Sequence, residues 1–405
     1  MSFGIALSGL AAATTDLSVT ANNVANSATT GFKQSRSEFA EIFAVSPQGV
    51  SSKQVGEGVK VASVSQQFTQ GNINTTNNSL DLAISGQGFF AVSDAGAAAY
   101  TRAGAFQVNN DGYVVNSQSQ RLQVYPATTT GNFNTSTLSD LRLVTSESAP
   151  NPTAKVETVF NLPADATPPT ATTFDPADLN SFNKATSLTV YDSLGAAHTA
   201  SLYFVKTATT NQWDSHLYVD GTAVGPAQTL TYSSAGALTS PANGSITYPA
   251  YTPTTGAAPL ALNFDYGKST QYGDAFSVNS VSQDGFTTGR LIGIDVDSTG
   301  VVQARFTNGR SLSLGQVAVA NFSNPQGLQP LDSTNWAETF ASGQPLRGQA
   351  GNSGFGLIQS GSLESSNVDI TQQLVNMITA QRNFQANAQM IKTEDAVTQT
   401  IINLR

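Results

Sequence analysis

The 405-residue chain contains no cysteine, which excludes a disulfide framework and any thiolate metal site. Charged residues make up only 11% of it, against a usual globular share of about 25%. Its basic residues form no cluster able to neutralise phosphates, so a nucleic-acid partner is not expected. Only two histidines occur, His198 and His216. Both lie in strand patterns with no second ligand at metal spacing, which reads as structural or surface use. No G-x-S-x-G elbow is present. Gly86 and Gly88 precede Phe89 and Phe90 in a strand cluster, where they let backbone bend or pack closely, with no following helix to present amides to a phosphate. Asp295, Asp297 and Gly300 resemble the start of a calcium loop without its later bidentate Glu, which leaves a β-turn. Neither catalysis, a cofactor nor a metal is expected. Continuous apolar runs of about 20 residues are also missing, so no membrane insertion is predicted. No Lys or Arg precedes Lys33, and the early apolar positions are periodic. Export, if it occurs, would then use a route without a cleaved signal peptide.

What the chain does have is one hydrophobic rhythm at both ends. Phe3, Leu7, Leu10, Thr14, Leu17, Ala21 and Val24 alternate spacings of four and three, as do Ile370, Leu374, Met377, Gln381, Phe384, Ala388 and Ile391. Val397, Ile401 and Leu404 resume the pattern. That is the period of a helix packing along a seam, and it predicts that the two ends pair as a coiled coil. The first helix is expected from Ser2 to about Asn26, where Asn26, Ser27 and Gly31 supply stop signals. The last should start at an Asp369 N-cap, with Gln372 completing a capping box, and run to Leu404. The first helix is rich in Gly, Thr and Asn and is a poor isolated helix, so both ends are expected to order only on assembly.

Between the helices the signals are β. Residues 87–125 alternate around an Asn109–Gly112 hairpin turn, and residues 289–322 do so around Asp297–Gly300 and Asn308–Gly309. The prolines at 150, 152, 163, 168, 169 and 176 are read as excluding central strands from that passage. Strands return over 188–219, and 233–259 read as surface loop. Residues 146–284 carry eleven acidic against four basic residues, most of the formal net charge of −9. The fold class is therefore mainly β with long N- and C-terminal α-helices, its nested discontinuous β domains hung from a terminal helical pair. The expected domains are 1–30 with 363–405 (coiled coil), 71–145 with 285–362 (inner β), and 146–284 (inserted outer β). Residues 31–70 lack a sustained period and are read as a linker packing between helices and β domain, with Phe32 and Phe43 as anchors.

Residues 21–33, ANNVANSATTGFK, closely resemble the signature of the bacterial flagellar rod, hook and hook-associated axial proteins, with Asn22, Asn23, Ala25, Asn26, Thr30, Gly31 and Phe32 at motif positions. The resemblance extends to residues 80–92, 100–126 and 361–405. Within that family the insert at about 146–284, and YDSLGAAHTASLYFVK at 191–206, are similar to the hook members rather than to the shorter distal rod members. The resemblance implies an extracellular structural subunit of the flagellar hook and basal body, exported unfolded through the flagellar type III apparatus. It would polymerise with itself under a hook cap protein into a curved, flexible tube. That tube would act as a universal joint between the distal rod protein and the first hook-filament junction protein. The assembly interface is expected at Phe3, Leu7, Leu10, Leu17, Val24, Ile370, Leu374, Met377, Phe384, Ile391 and Leu404. On the residues alone, a distal rod protein, a secreted β-rich adhesin or fibre with terminal coiled coils, and a polysaccharide-acting enzyme remain open.

Overall fold

In the computed structural model, residues 2–43, 56–128, 131–143 and 147–403 are described. The chain divides into two compact units, one of residues 1–145, 293–305 and 311–405, the other of 146–292 and 306–310. The first unit begins with α1 (Ser2–Ala25) and ends with α2 (Ile370–Asn403). Asp369 caps α2, its Oδ1 accepting from the N–H groups of Thr371 (2.8 Å) and Gln372 (3.2 Å). The expected capping box is only half made, because the Gln372 amide reaches forward to Asn376 Oδ1 (3.1 Å). By length and hydropathy (mean 1.2) Phe3–Ala25 also passes as a membrane-crossing helix. That departs from the expectation, because Ala- and Leu-rich helices accumulate hydropathy without one continuous apolar run. Here Ala6, Ala12, Ala13, Thr20 and Asn23 of this helix are buried within the fold.

The stretch read as an aperiodic linker forms a hairpin of β1 (Ser35–Ile42) and β2 (Gly58–Gln66), antiparallel from Ser35 opposite Gln66 to Ile42 opposite Gly58. A bulge at Glu38/Phe39 breaks its alternation, which hid the period-2 signal. Phe43, directly after β1, is exposed, and Phe32, before it, is half-buried.

Beyond the hairpin lies a mainly antiparallel sheet whose central strand, Ser311–Asn321, pairs with Val301–Phe306, Arg121–Pro126, Phe89–Asp94 and Leu346–Gln349. From Gly315 to Ala320 this strand is buried on both faces. Val317 and Val319 join Leu82, Ile84, Phe90, Val92 and Val124 on one side, while Ala318 and Ala320 join Phe89, Tyr100, Tyr125, Phe322 and Trp336 on the other. Gly88 fits there because a Cβ on it would come 2.4 Å from the Val319 side chain. The Asn109–Gly112 turn forms as expected: Asn109 Oδ1 accepts from the N–H groups of Asp111 and Tyr113 at 3.0 and 2.8 Å. Asp297 likewise turns its carboxylate on its own loop, accepting from Thr299 and Val301 N–H, both at 2.9 Å.

The second unit is two sheets around one core. Lys184–Tyr191, Ala197–Lys206, Gln212–Val219 and Gln228–Tyr232 form the first, alternating cleanly so that Leu202, Phe204, Trp213, Leu217 and Val219 point inward. The other centres on Lys155–Pro163, flanked in parallel by Asn263–Asp265 and Thr270–Tyr272 and antiparallel by Ser277–Gln283. This corrects the expectation for the proline-rich passage. The strand runs nine residues, Lys155–Pro163, through the gap after Pro152, and Pro163 only ends it. Residues 233–259 are likewise more than loop: Ser245–Thr247 is a strand, and Ile246 and Tyr248 join the core.

Candidate assembly site

The geometry between the two helices explains what the terminal rhythm does. Asn23 Nδ2 bonds Gln373 Oε1 (3.3 Å), and Gly9 sits so close to Asn387 that a Cβ would meet its Oδ1 at 2.6 Å. Fourteen residues of α1 therefore register against fourteen of α2, running antiparallel. Asp16 lies between, lining one small cleft with Asn376 and another with Asn383 and Asn387. The helices pack on each other, as expected, but the seam is Gly9, Asp16 and Asn23 against Gln373, Ala380 and Asn387, small and polar residues seven apart.

The large apolar stripe is not that seam. On α1 it is displaced by one residue, which turns it about 100° around the helix. Phe3 and Leu7 stay exposed, and Leu10, Leu17 and Val24 are half-buried. On α2, Ile370, Leu374 and Phe384 are exposed, Met377 and Ile391 are half-buried, and Leu404 lies outside the described residues. The notion that these stripes close on each other within one chain is thereby corrected.

The motif residues build the joint where both helices leave the β sheet. Asn23 is buried and mimics a strand edge, its amide donating to Ser35 O (2.8 Å) and its Oδ1 accepting from Ser35 N–H (2.9 Å). Asn26 closes the helix end, donating to Asn22 O (3.0 Å) and accepting from Thr29 Oγ1 (3.0 Å). Gly31 has φ +71° and donates its N–H to Glu364 O (2.8 Å), with Ala103 N only 2.5 Å from where a Cβ would sit. Asn22 and Ala25 are exposed, and Thr30 and Phe32 half-buried.

Beneath this joint is a charge cluster that sequence reasoning missed. Glu364, fully buried, accepts from Lys33 Nζ (2.6 Å), Gly71 N–H (2.9 Å) and Arg102 Nη1 (3.2 Å). Lys33 also donates to Thr69 O (2.8 Å), and Arg102 to Gly86 O (2.9 Å). Burial pulls the Lys33 ammonium and the Arg102 guanidinium below their ordinary values, and the Glu364 carboxylate pushes back on both. Three segments spread over 331 residues of sequence are tied here, and only the isolated Lys33 before a strand hinted at it.

Family models match along the same elements. The Flagella basal body rod protein model covers residues 3–33, the Flagellar hook protein FlgE/F/G D1 domain 83–170, the Flagellar basal body protein FlaE D2 domain 161–286, and the Flagellar basal body rod FlgEFG protein C-terminal model 359–404. Flagellar hook protein FlgE of Salmonella typhimurium is 39% identical over 413 residues, covering 100% of both chains. The chain belongs to the flagellar hook protein family. The hook protein of Escherichia coli K12 is 38% identical over 422 residues, again covering 100% of both, and that of Borreliella burgdorferi 33% over 436 residues, covering 98% of each. In fold, the chain is similar to the Helicobacter pylori flagellar hook protein FlgE2 crystal structure, with TM-score 0.56 and 14% identity over 72% of this chain and 100% of that one. Hook-family membership makes this a structural protein of the extracellular flagellum.

Proposed function

We propose that the chain is the self-assembling subunit of the flagellar hook and that its polymer is a curved, flexible tube transmitting motor torque from rod to filament. The observation that carries this is full-length similarity to hook proteins, including the 161–286 segment that lies in the second unit. The exposed stripes on α1 and α2 supply the assembly surface, with Phe3, Leu7, Ile370, Leu374 and Phe384 as its apolar contacts. Burying one such side chain stabilises by about 1.5–3 kcal/mol. Several together offset the cost of ordering both helices between subunits. Few fixed ion pairs are available on a surface this poor in charge, and hydroxyl and amide contacts tolerate the sliding that a rotating bent tube demands.

Its partners under this reading are further copies of itself, the distal rod protein, the hook cap protein, the first hook-filament junction protein and the flagellar type III export apparatus. Electron microscopy of polymer grown from the purified chain tests it. Curved, flexible tubes are expected. Straight, stiff tubes would favour a distal rod subunit instead.

A further inference from the structure

The turn Glu338–Gly343 presents one fully exposed aromatic side chain: Phe340 is 105% exposed. The turn around it is locked. Thr339 Oγ1 donates to Gly327 O and accepts from the N–H groups of Ala341 (3.1 Å) and Ser342 (3.2 Å). Thr339 N–H donates to the buried Ser342 Oγ (2.9 Å), and Asn324 Nδ2 holds Ala341 O (3.0 Å). A rigid knob loses little conformational freedom on docking, so more of its apolar contact survives as affinity.

The same unit carries a cleft of about 370 Å³ that such a knob fits. Phe32, Leu331 and Trp336 give it apolar walls, and Asn22 and Asn26 of the motif also line it. The Trp336 indole is pinned by Gln66 Oε1 at 2.5 Å. Ser333 and Thr334 on the cleft loop both have left-handed backbones, φ +62° and +59°. Non-glycine residues held there cost of order 1 kcal/mol or more each, and such strain gathers at clamps. Thr101 Oγ1, donating to Thr334 O (2.9 Å), holds the strained loop in place.

Knob and cleft loop leave opposite ends of the strand Asn335–Ala337, at least about 10 Å apart along it. The knob is thus kept out of its own cleft. We propose that Phe340 of one subunit inserts into the Trp336–Phe32 cleft of a second copy. Such a contact joins two different patches, and repetition of a contact of this kind that does not close into a ring generates a helical polymer. The inference rests on the self-assembly reading and adds a specific lateral or axial contact to it.

The absence of native cysteine gives a clean test. A double variant, Asp332→Cys on the exposed cleft loop with Ala341→Cys beside the knob, leaves Phe340 intact. Oxidised polymer should then run as a covalent ladder on a denaturing gel, whereas oxidised monomer should not cross-link. Phe340→Ala should leave monomer unfolding unchanged and raise the critical concentration for polymerisation about tenfold to hundredfold. Tubes that form at the normal concentration without Phe340, or that yield no ladder, overturn the knob alone. A disulfide forming inside the monomer overturns it as well. If the unmodified chain makes no tubes under any condition, the assembly reading falls and the knob falls with it.

Discussion

Replacing Glu364 with Gln tests whether the buried charge cluster is what holds the joint. The change keeps shape and one acceptor oxygen while removing the only anion between two buried cations, Lys33 with a fully buried side chain and Arg102 nearly so. Breaking a buried pair by removing one partner costs about 3–5 kcal/mol. A Coulomb term of about 4 kcal/mol at 4 Å and an effective dielectric constant of 20 is of the same size. At roughly 2–4 °C per kcal/mol for a unit of this size, the first unit should melt about 10 °C lower at pH 7. The cluster carries two cations and one anion, so Lys33→Met, which leaves the Arg102–Glu364 pair neutral, should cost much less. Burial already depresses the Lys33 pKa, and loss of Glu364 removes the opposing push. The sign follows: a base whose folded pKa lies below its unfolded value destabilises the fold while charged, so Glu364→Gln should regain stability as pH rises toward 10. Calorimetry of the full chain at pH 7 and 9.5 reads both effects, with the second unit's transition as internal control. Equal costs for Glu364→Gln and Lys33→Met, or a shift under about 3 °C, would refute the charge argument.

Gly31→Ala forces a Cβ to within 2.5 Å of Ala103 N at φ +71°, and should cost at least about 2 kcal/mol in a thermal melt. In the second unit, His198 sits between Asp220 Oδ2 (2.6 Å) and Asp192 Oδ2 (3.2 Å), next to Tyr251, and although burial opposes its charge the two carboxylates raise its pKa. Its contribution is full below about pH 6.5 and is lost as pH rises through the raised value, so His198→Gln should flatten the decline in that unit's melting temperature between pH 6 and 9. Burial would raise the Asp192 pKa, but Thr255, His198 and the Ala196 and Leu194 N–H groups hold it at about 2. Asp192→Asn should therefore remove about 2 kcal/mol at pH 7, stability that the parent chain itself loses as pH falls from about 4 toward 2. Amide exchange in dilute monomer should find residues 2–25 and 370–403 nearly unprotected beside a protected Phe89–Asp94 strand; strong protection of both helices would contradict assembly-coupled ordering.

Turns and half-buried strands were legible in the sequence because their signals are local. Asn109 and Asp297 form their turns with their own backbone, and Ala197–Lys206 alternates inward and outward residue by residue. The features that escaped depend on contacts or irregularities that a simple pattern does not carry. The bulge at Glu38/Phe39 scrambles the period of β1, and the central position of Lys155–Pro163 is decided by partners about a hundred residues downstream. The Glu364 cluster joins three segments whose charges have no shared pattern. Motif residues were visible as a family signature, but their work at the joint was not: Asn23 acts as a strand edge and Gly31 as a left-handed turn.

The one-residue offset between seam and stripe matters most for assembly. Had Phe3, Leu10 and Leu17 faced Ile391, Phe384 and Met377, each subunit would bury its own adhesive surface and gain little by joining another. A seam of Gly9, Asp16 and Asn23 lets the backbones approach while contributing little apolar burial, so the pair stays weak alone. Length sharpens this. With Gly9 opposite Asn387 and Asn23 opposite Gln373, Ser2 falls opposite residue 394, and the last nine described residues of α2 extend past the start of α1. Val397, Ile401 and Ile402 on that overhang are exposed. Under the proposed assembly another subunit covers them. Truncation after Thr393 should then leave the monomer's melting temperature unchanged and abolish polymer, whereas an overhang that stabilised its own chain would lower both.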